Sequence, residues 1–169
     1  MRASGTPPMR ASASREVAYP VEQVWAALAT LLPYCSVCDV SALVDIPGDI
    51  CLGTKFRAFS GRLPERPDGE AVPDGGMPGE IVDWSPQKSV ATRLETEGES
   101  VVVSVEMAAA SPDTTLVSIS VEVTPRMRNR ITVAMARSSY VRMAVRTVEG
   151  EIGKLPAHLA LLEDSRAEG

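Results

Sequence analysis

Between residues 114 and 162 the hydrophobic period of the chain changes once, from two to about 3.6, and this change constrains the fold more than any other feature. In TTLVSISVEVT, Val117, Ile119, Val121 and Val123 alternate with Ser118, Ser120, Glu122 and Thr124. Successive side chains of a strand point to opposite faces, so this segment predicts a strand with one buried face and one wet face, as in an antiparallel sheet. Further on, Val141, Val145, Val148, Ile152, Leu155, Leu159 and Leu162 recur at alternating spacings of four and three. That is the apolar stripe of one long helix, with Pro156 expected to kink or restart it. From about 131 to 154 the helix would span roughly 35 Å at 1.5 Å per residue, enough to cross a whole sheet. A strand face and a helix stripe that both need covering bury each other most simply when one twisted sheet wraps around the helix.

Upstream segments read as the rest of that sheet. Residues 15–19, 37–46, 53–63, 78–84, 89–96 and 100–109 are strand-like and separated by turn residues such as Pro47-Gly48-Asp49 and Ser85-Pro86-Gln87-Lys88. Between the first two, Pro20 opens VEQVWAALATLL, whose Val21, Val24, Trp25, Leu28, Leu31 and Leu32 carry helical spacing, and Pro33 stops it. The fold class expected is α+β: a strongly curved antiparallel sheet of about seven strands around a long C-terminal helix, with short helices between the first two strands. Residues 1–14, small, polar and proline-broken, read as a disordered tail; 15–163 form a single domain, and 164–169 a C-terminal tail.

Composition narrows the function classes. At 169 residues, 44% of them hydrophobic, the chain can bury a core without disulfides or metal. The net charge of −5 disfavours nucleic acid as a partner, because phosphate contacts need a basic surface. No apolar run reaches membrane-spanning length, and no secretory signal stands out, so a cytoplasmic protein with reduced thiols and no membrane insertion is expected.

Order and wording together resemble the SRPBCC superfamily, which includes START-like, birch-pollen-allergen-like and polyketide cyclase proteins. The resemblance rests on Pro20-Val21-Glu22-Gln23-Val24-Trp25, on Gly53 before TKFRAF, on GEIVDWSPQKSVATRLE and on TTLVSISVEVTP, and covers roughly residues 14–163. It implies the helix-grip fold and a hollow between sheet and helix that takes a polyketide- or lipid-like molecule. It also implies an alternative, an aromatase/cyclase acting on a poly-β-ketone. In such members a Phe-Arg pair matches Phe56-Arg57, with the arginine reaching the cavity. Leu32-Pro33 stands where those members have Trp-Pro, a departure that removes one expected wall of the cavity.

The candidate catalytic residues are accordingly Arg57, Tyr34 and Tyr140. Arg57 would stay charged when partly buried and could hold a carboxylate or a developing enolate. Strand alternation alone leaves two faces open to it, cavity or solvent beside Lys55. Candidates for contact with a ligand are Trp25, Phe56, Phe59, Trp84, Met107, Met135, Ser139 and Met143, which equally suit plain packing. Glu80 and Asp83, three apart on a strand, are expected on opposite faces and so form no acid–base pair. No cofactor is implied.

A third reading is a protein-interaction role, regulatory or that of a resistance factor that sequesters a metabolite, and two segments suit a protein partner. One is the proline- and glycine-rich loop 62–79, a lid over the cavity or a docking arm. The other is the arginine-rich segment 126–146, whose Arg126, Arg128 and Arg130 could meet Glu65, Asp68, Glu70 and Asp74 of that loop. Finally, Cys35, Cys38 and Cys51 with the lone His158 supply metal-ligand types. The spacing lacks the second close-set pair usual in zinc sites, and a redox pair would open a helix after a parallel strand. The cysteines are therefore read as small buried hydrophobes, with no metal.

Overall fold

The computed structural model describes residues 7–67, 69–127 and 129–168, apart from the side chains of Leu162, Ser165 and Arg166. Its elements in order are β1 (Met9–Val17), α1 (Val21–Leu28), β2 (Val40–Val44), β3 (Lys55–Ser60), β4 (Met77–Ser85), β5 (Ser89–Glu95), β6 (Glu99–Ser111), β7 (Thr114–Pro125) and α2 (Arg130–Ala167). The strands form one antiparallel sheet in the order β1-β7-β6-β5-β4-β3-β2. This is the helix-grip architecture expected from the sequence, with one short helix between the first two strands.

The alternating strand is the sheet's anchor. Val117, Ile119, Val121 and Val123 are all buried, and β7 lies between β1 and β6, so its apolar face looks onto α2. The helix packs on β1, β7 and α1 rather than on the far strands. A straight helix can follow a curved sheet over only part of its width, so the concave face of β2, β5 and β6 is left standing away from it.

Several boundaries differ from expectation. The sheet begins at Met9, not at residue 15: the small side chains of ASAS pair with β7 from Met9↔Val123 to Val17↔Thr115. Met9 and Val17 are buried at the two ends, with Ala11 and Ala13 against the core, so short residues here reflect close packing rather than a tail. Residues 1–6 lie outside the described residues. Helix α2 runs unbroken through Pro156 to Ala167, which at 1.5 Å per residue is about 57 Å, and absorbs most of the expected C-terminal tail. Its start is capped by Asn129, whose side chain accepts the Ile131 N–H at 2.9 Å.

The buried face of α2 is also rotated from the expected stripe. Val133, Tyr140, Ala144, Val148, Leu155 and Leu159 are buried, whereas Val141 and Val145 are more than one-third exposed. Ala144, which carries little hydropathy signal, lets the helix approach the sheet closely and leaves the bulkier valines on the margin. The Leu162 side chain lies outside the described residues.

A bulge between Ile81 and Asp83 resets the faces of β4, so that Glu80 pairs with Arg93 and Asp83 with Ala91 on one face. The expected separation of Glu80 from Asp83 therefore fails. They still form no acid–base pair: Asp83 accepts hydrogen bonds from Ser85 and Ser89, and Glu80 lies 4.0 Å from Arg93.

Candidate functional site

Between the concave sheet and the C-terminal half of α2 lies a cavity of about 390 Å³. Val90 and Thr92 of β5, Val103 and Val105 of β6, and Ile119 of β7 form its floor. Leu28, Leu31 and Leu32 close one side, Val40 and Ala42 of β2 another. The floor follows from register: Val90↔Val105, Thr92↔Val103 and Val105↔Ile119 are cross-strand partners, whose side chains share a face. Helix α1 ends at Leu28, four residues short of its expected end, and this frees Leu31 and Leu32 to turn inward.

The ionisable groups of the wall are concentrated in one place, where Cys35, Cys38, Glu151, Lys154 and His158 meet. The two cysteines come from a closed loop before β2. Cys35 and Val40 exchange backbone hydrogen bonds at 2.8 and 3.3 Å, and Asp39 takes a left-handed conformation at φ 52°, turning the chain back on itself. Tyr34 Oη donates to Asp39 Oδ1 at 2.8 Å, tying the two ends together, and the Gly61 N–H donates to the Asp39 carbonyl at 2.7 Å. His158 comes from α2, and its Nε2 lies 3.4 Å from Cys35 Sγ and 3.2 Å from Cys38 Sγ.

Burial sets the charge state of this cluster. Loss of solvent, with Cys35 and Glu151 adding to it, pushes the Cys38 thiol up to about 11, against the opposing pull of Lys154. His158 is held below the ordinary imidazole value, again chiefly by burial, despite the neighbouring Glu151. At neutral pH the cluster thus holds a neutral imidazole against a protonated Cys38 thiol.

The cysteines do not behave as buried hydrophobes. Cys35 and Cys38 are half-buried and Cys51 is exposed, away from the cluster and next to Thr54. Sequence reasoning weighed His158 with all three cysteines as one set; the structure keeps two and discards the third.

None of the eleven other candidate residues lies on the wall of this cavity. Ala42 lines it and pairs with Ala58, so the even-numbered residues of β3 face inward and Arg57 faces outward, donating to the Gly75 carbonyl at 3.0 Å. Phe59 shares that outer face, against Gly76. Phe56 faces inward but is buried over Gly79. Trp25 of α1 meets Trp84 of β4 edge-on, ring centroids 5.0 Å apart, and Trp84 pairs with Val90 at the cavity's end. Met107 and Tyr140 are core residues, and Met143 packs against that core. Ser139 is exposed and bonded to Arg142, Met135 is 80% exposed, and Tyr34 holds the cysteine loop.

The two ends of the loop, at residues 61–63 and 75–76, lie along the outer face of β2 and β3 rather than over the cavity. Ser41 is fully buried there, donating to the Gly61 carbonyl and accepting from the Leu63 N–H. Arg126 pairs with Glu95 rather than with the loop, and Arg66 takes Glu70. Asp68 and Arg128 lie outside the described residues.

Solved structures share this architecture. The chain aligns with the Zhui aromatase/cyclase from a Streptomyces species at TM-score 0.64 and 15% identity, over 92% of this chain and 94% of that one. It aligns with a START superfamily protein from Mycobacterium smegmatis at TM-score 0.61 and 11% identity, over 90% and 98%. Norcoclaurine synthase from Thalictrum flavum, in complex with dopamine and hydroxybenzaldehyde, aligns at TM-score 0.59 and 13% identity, over 95% and 89%. No family model and no curated protein matches the sequence. At these identities the likeness is one of fold alone: a curved antiparallel sheet around a long C-terminal helix, the helix-grip architecture. Among the described residues no helix is long and apolar enough to cross a membrane.

Proposed function

We propose that the chain binds one apolar small molecule, polyketide- or lipid-like, in the cavity between sheet and α2. The observation that carries this reading is the wall itself: a mostly aliphatic cavity of about 390 Å³ with its ionisable groups gathered at one place. Binding sites for small molecules are typically of this kind, apolar for affinity with a few polar groups for orientation. One of the aligned structures, norcoclaurine synthase, is in complex with two small aromatic molecules, dopamine and hydroxybenzaldehyde, which supports a small-molecule occupant.

Native mass spectra of the protein mixed with aromatic polyketides and fatty acids test it. One molecule per chain is expected, and Val103→Phe, which fills the floor, should abolish it while leaving the chain folded. A folded Val103→Phe variant that binds as the parent does, or a parent that binds nothing in the panel, would overturn the reading.

A second reading, turnover of a carbonyl compound as in a cyclase, is favoured by Glu151, Lys154 and His158 on the same wall. These are the group types that move protons in aldol closure and dehydration. In this reading Arg57 has no part in the chemistry, because it faces away. Loss of product with Glu151→Gln, binding retained, would support it; unchanged product would exclude Glu151 as the base.

A further inference from the structure

Three side chains on the cavity wall have the chemistry and spacing of a metal site. Cys35, Cys38 and His158 bring two sulfurs and one imidazole nitrogen to within 4.8 Å of one another. In a tetrahedral zinc site, with Zn–S near 2.3 Å and Zn–N near 2.0 Å, ligand atoms sit about 3.5 Å apart. The two sulfur–nitrogen separations here, 3.4 and 3.2 Å, differ from that by only a few tenths of an ångström.

The loop that carries the cysteines is held by hydrogen bonds of its own. Its ends are closed by the Cys35–Val40 backbone bridge, its reversal is made by Asp39, and the Tyr34–Asp39 hydrogen bond clamps it from outside. Arg62 covers the Tyr34 ring, 4.2 Å from its centroid. So the short spacing of Cys35 and Cys38 directs both sulfurs toward the one face of α2 that carries the only histidine of the chain. Soft thiolate with imidazole is a donor set that suits zinc over magnesium or calcium.

We infer that the reduced protein binds one zinc ion through Cys35 Sγ, Cys38 Sγ and His158 Nε2, with the fourth tetrahedral position opening on the cavity. All three ligands belong to the cavity wall, and Glu151, on the same wall, falls outside their 4.8 Å set. Three protein ligands and one open position is the arrangement of catalytic rather than structural zinc. Binding converts both thiols to thiolates, releases two protons to solvent and uses the Nε2 lone pair, leaving the imidazole proton on Nδ1. A water or an oxygen of the molecule in the cavity would complete the ion's shell, and the ion would polarise a carbonyl placed there.

Zinc alone, with no organic ligand, tests the site, so failure here leaves the cavity reading untouched. Reduced, chelator-stripped protein should take up one zinc per chain in native mass spectra. Cobalt in its place should give the visible bands of a tetrahedral site and a sulfur-to-cobalt charge-transfer band of two-thiolate intensity. Cys38→Ser and His158→Gln should each weaken zinc binding on the order of 100-fold or more, as expected when a ligand is removed. Cys51→Ser should leave it unchanged. Because the serine variant disturbs a closed loop, His158→Gln, on one helical turn, and the cobalt spectrum of the parent keep the test decisive if Cys38→Ser misfolds. The inference is overturned if the reduced parent takes up no stoichiometric zinc, if His158→Gln binds it as the parent does, or if the cobalt spectrum lacks the thiolate band. Isolation of a Cys35–Cys38 disulfide that persists at cytosolic glutathione levels would overturn it as well.

Discussion

Cys38 Sγ lies 3.2 Å from His158 Nε2 across 120 residues of sequence. The contact joins the loop before β2, an edge strand of the sheet, to the C-terminal half of α2, and forms part of the cavity wall. It also gathers the ionisable side chains of a mostly aliphatic wall into one place. A molecule bound there as proposed would meet hydrocarbon over most of its surface and these groups at one end.

In the metal-free chain His158 makes stability depend on acid pH. Its folded-state pKa lies below its unfolded value of about 6.5, so the unfolded state takes up the proton first. The associated stability is complete above about pH 6.5 and is lost as the pH falls toward the folded-state value. Urea unfolding between about pH 8 and pH 5 should show this decline in the parent and a shallower one in His158→Gln. Equal slopes would mean that the imidazole is not held neutral.

Arg57→Ala should leave ligand binding unchanged and alter stability by no more than about 1 kcal/mol, the worth of one exposed hydrogen bond. The guanidinium faces away from the cavity and holds the Gly75 carbonyl. Isothermal titration of parent and variant with any molecule shown to bind decides the point. A tenfold loss of affinity would place Arg57 inside.

Trp25 and Trp84 should be coupled. Their edge-on contact pins α1 to the end of the β4–β5 hairpin, beside Val90 of the cavity floor. A double-mutant cycle with alanine at each, followed by urea unfolding, should give about 0.5–1.5 kcal/mol of interaction energy. Additive losses would show that the rings merely neighbour each other.

Gly79→Ala should destabilise the chain by about 1–3 kcal/mol, the range of an overpacked site. A methyl group there would overlap the end of the Phe56 ring. Combining it with Phe56→Leu, which removes the ring, should recover part of the loss. A neutral Gly79→Ala would mean that the ring moves aside freely.

Much of the architecture was legible in local pattern. The alternation of Val117 to Val123, the helical spacing after it and the turn residues between earlier segments are near-neighbour properties, set by how side chains leave a strand or a helix. They were enough for the strand count, the long helix and the helix-grip resemblance. They were not enough where hydropathy is weak or a local rule is broken. Ala11, Ala13 and Ala144 pack closely but carry little apolar signal, so β1 looked like a tail and the α2 stripe was placed one step off. The bulge in β4 put Glu80 and Asp83 on one face where alternation separates them.

By itself, then, the sequence determined which residues share an element and which alternate within it. Tertiary structure alone decided which face of each strand became the inside. Arg57 and Ala58 are equally plausible wall residues until the pairing of Ala42 with Ala58 turns one in and the other out. The same holds for the site. Two cysteines three apart and one distant histidine are unremarkable as a pattern, because no local rule reports a separation of 120 residues. Only the curvature of the sheet, which carries β2 around to the C-terminal half of α2, brings their donor atoms together.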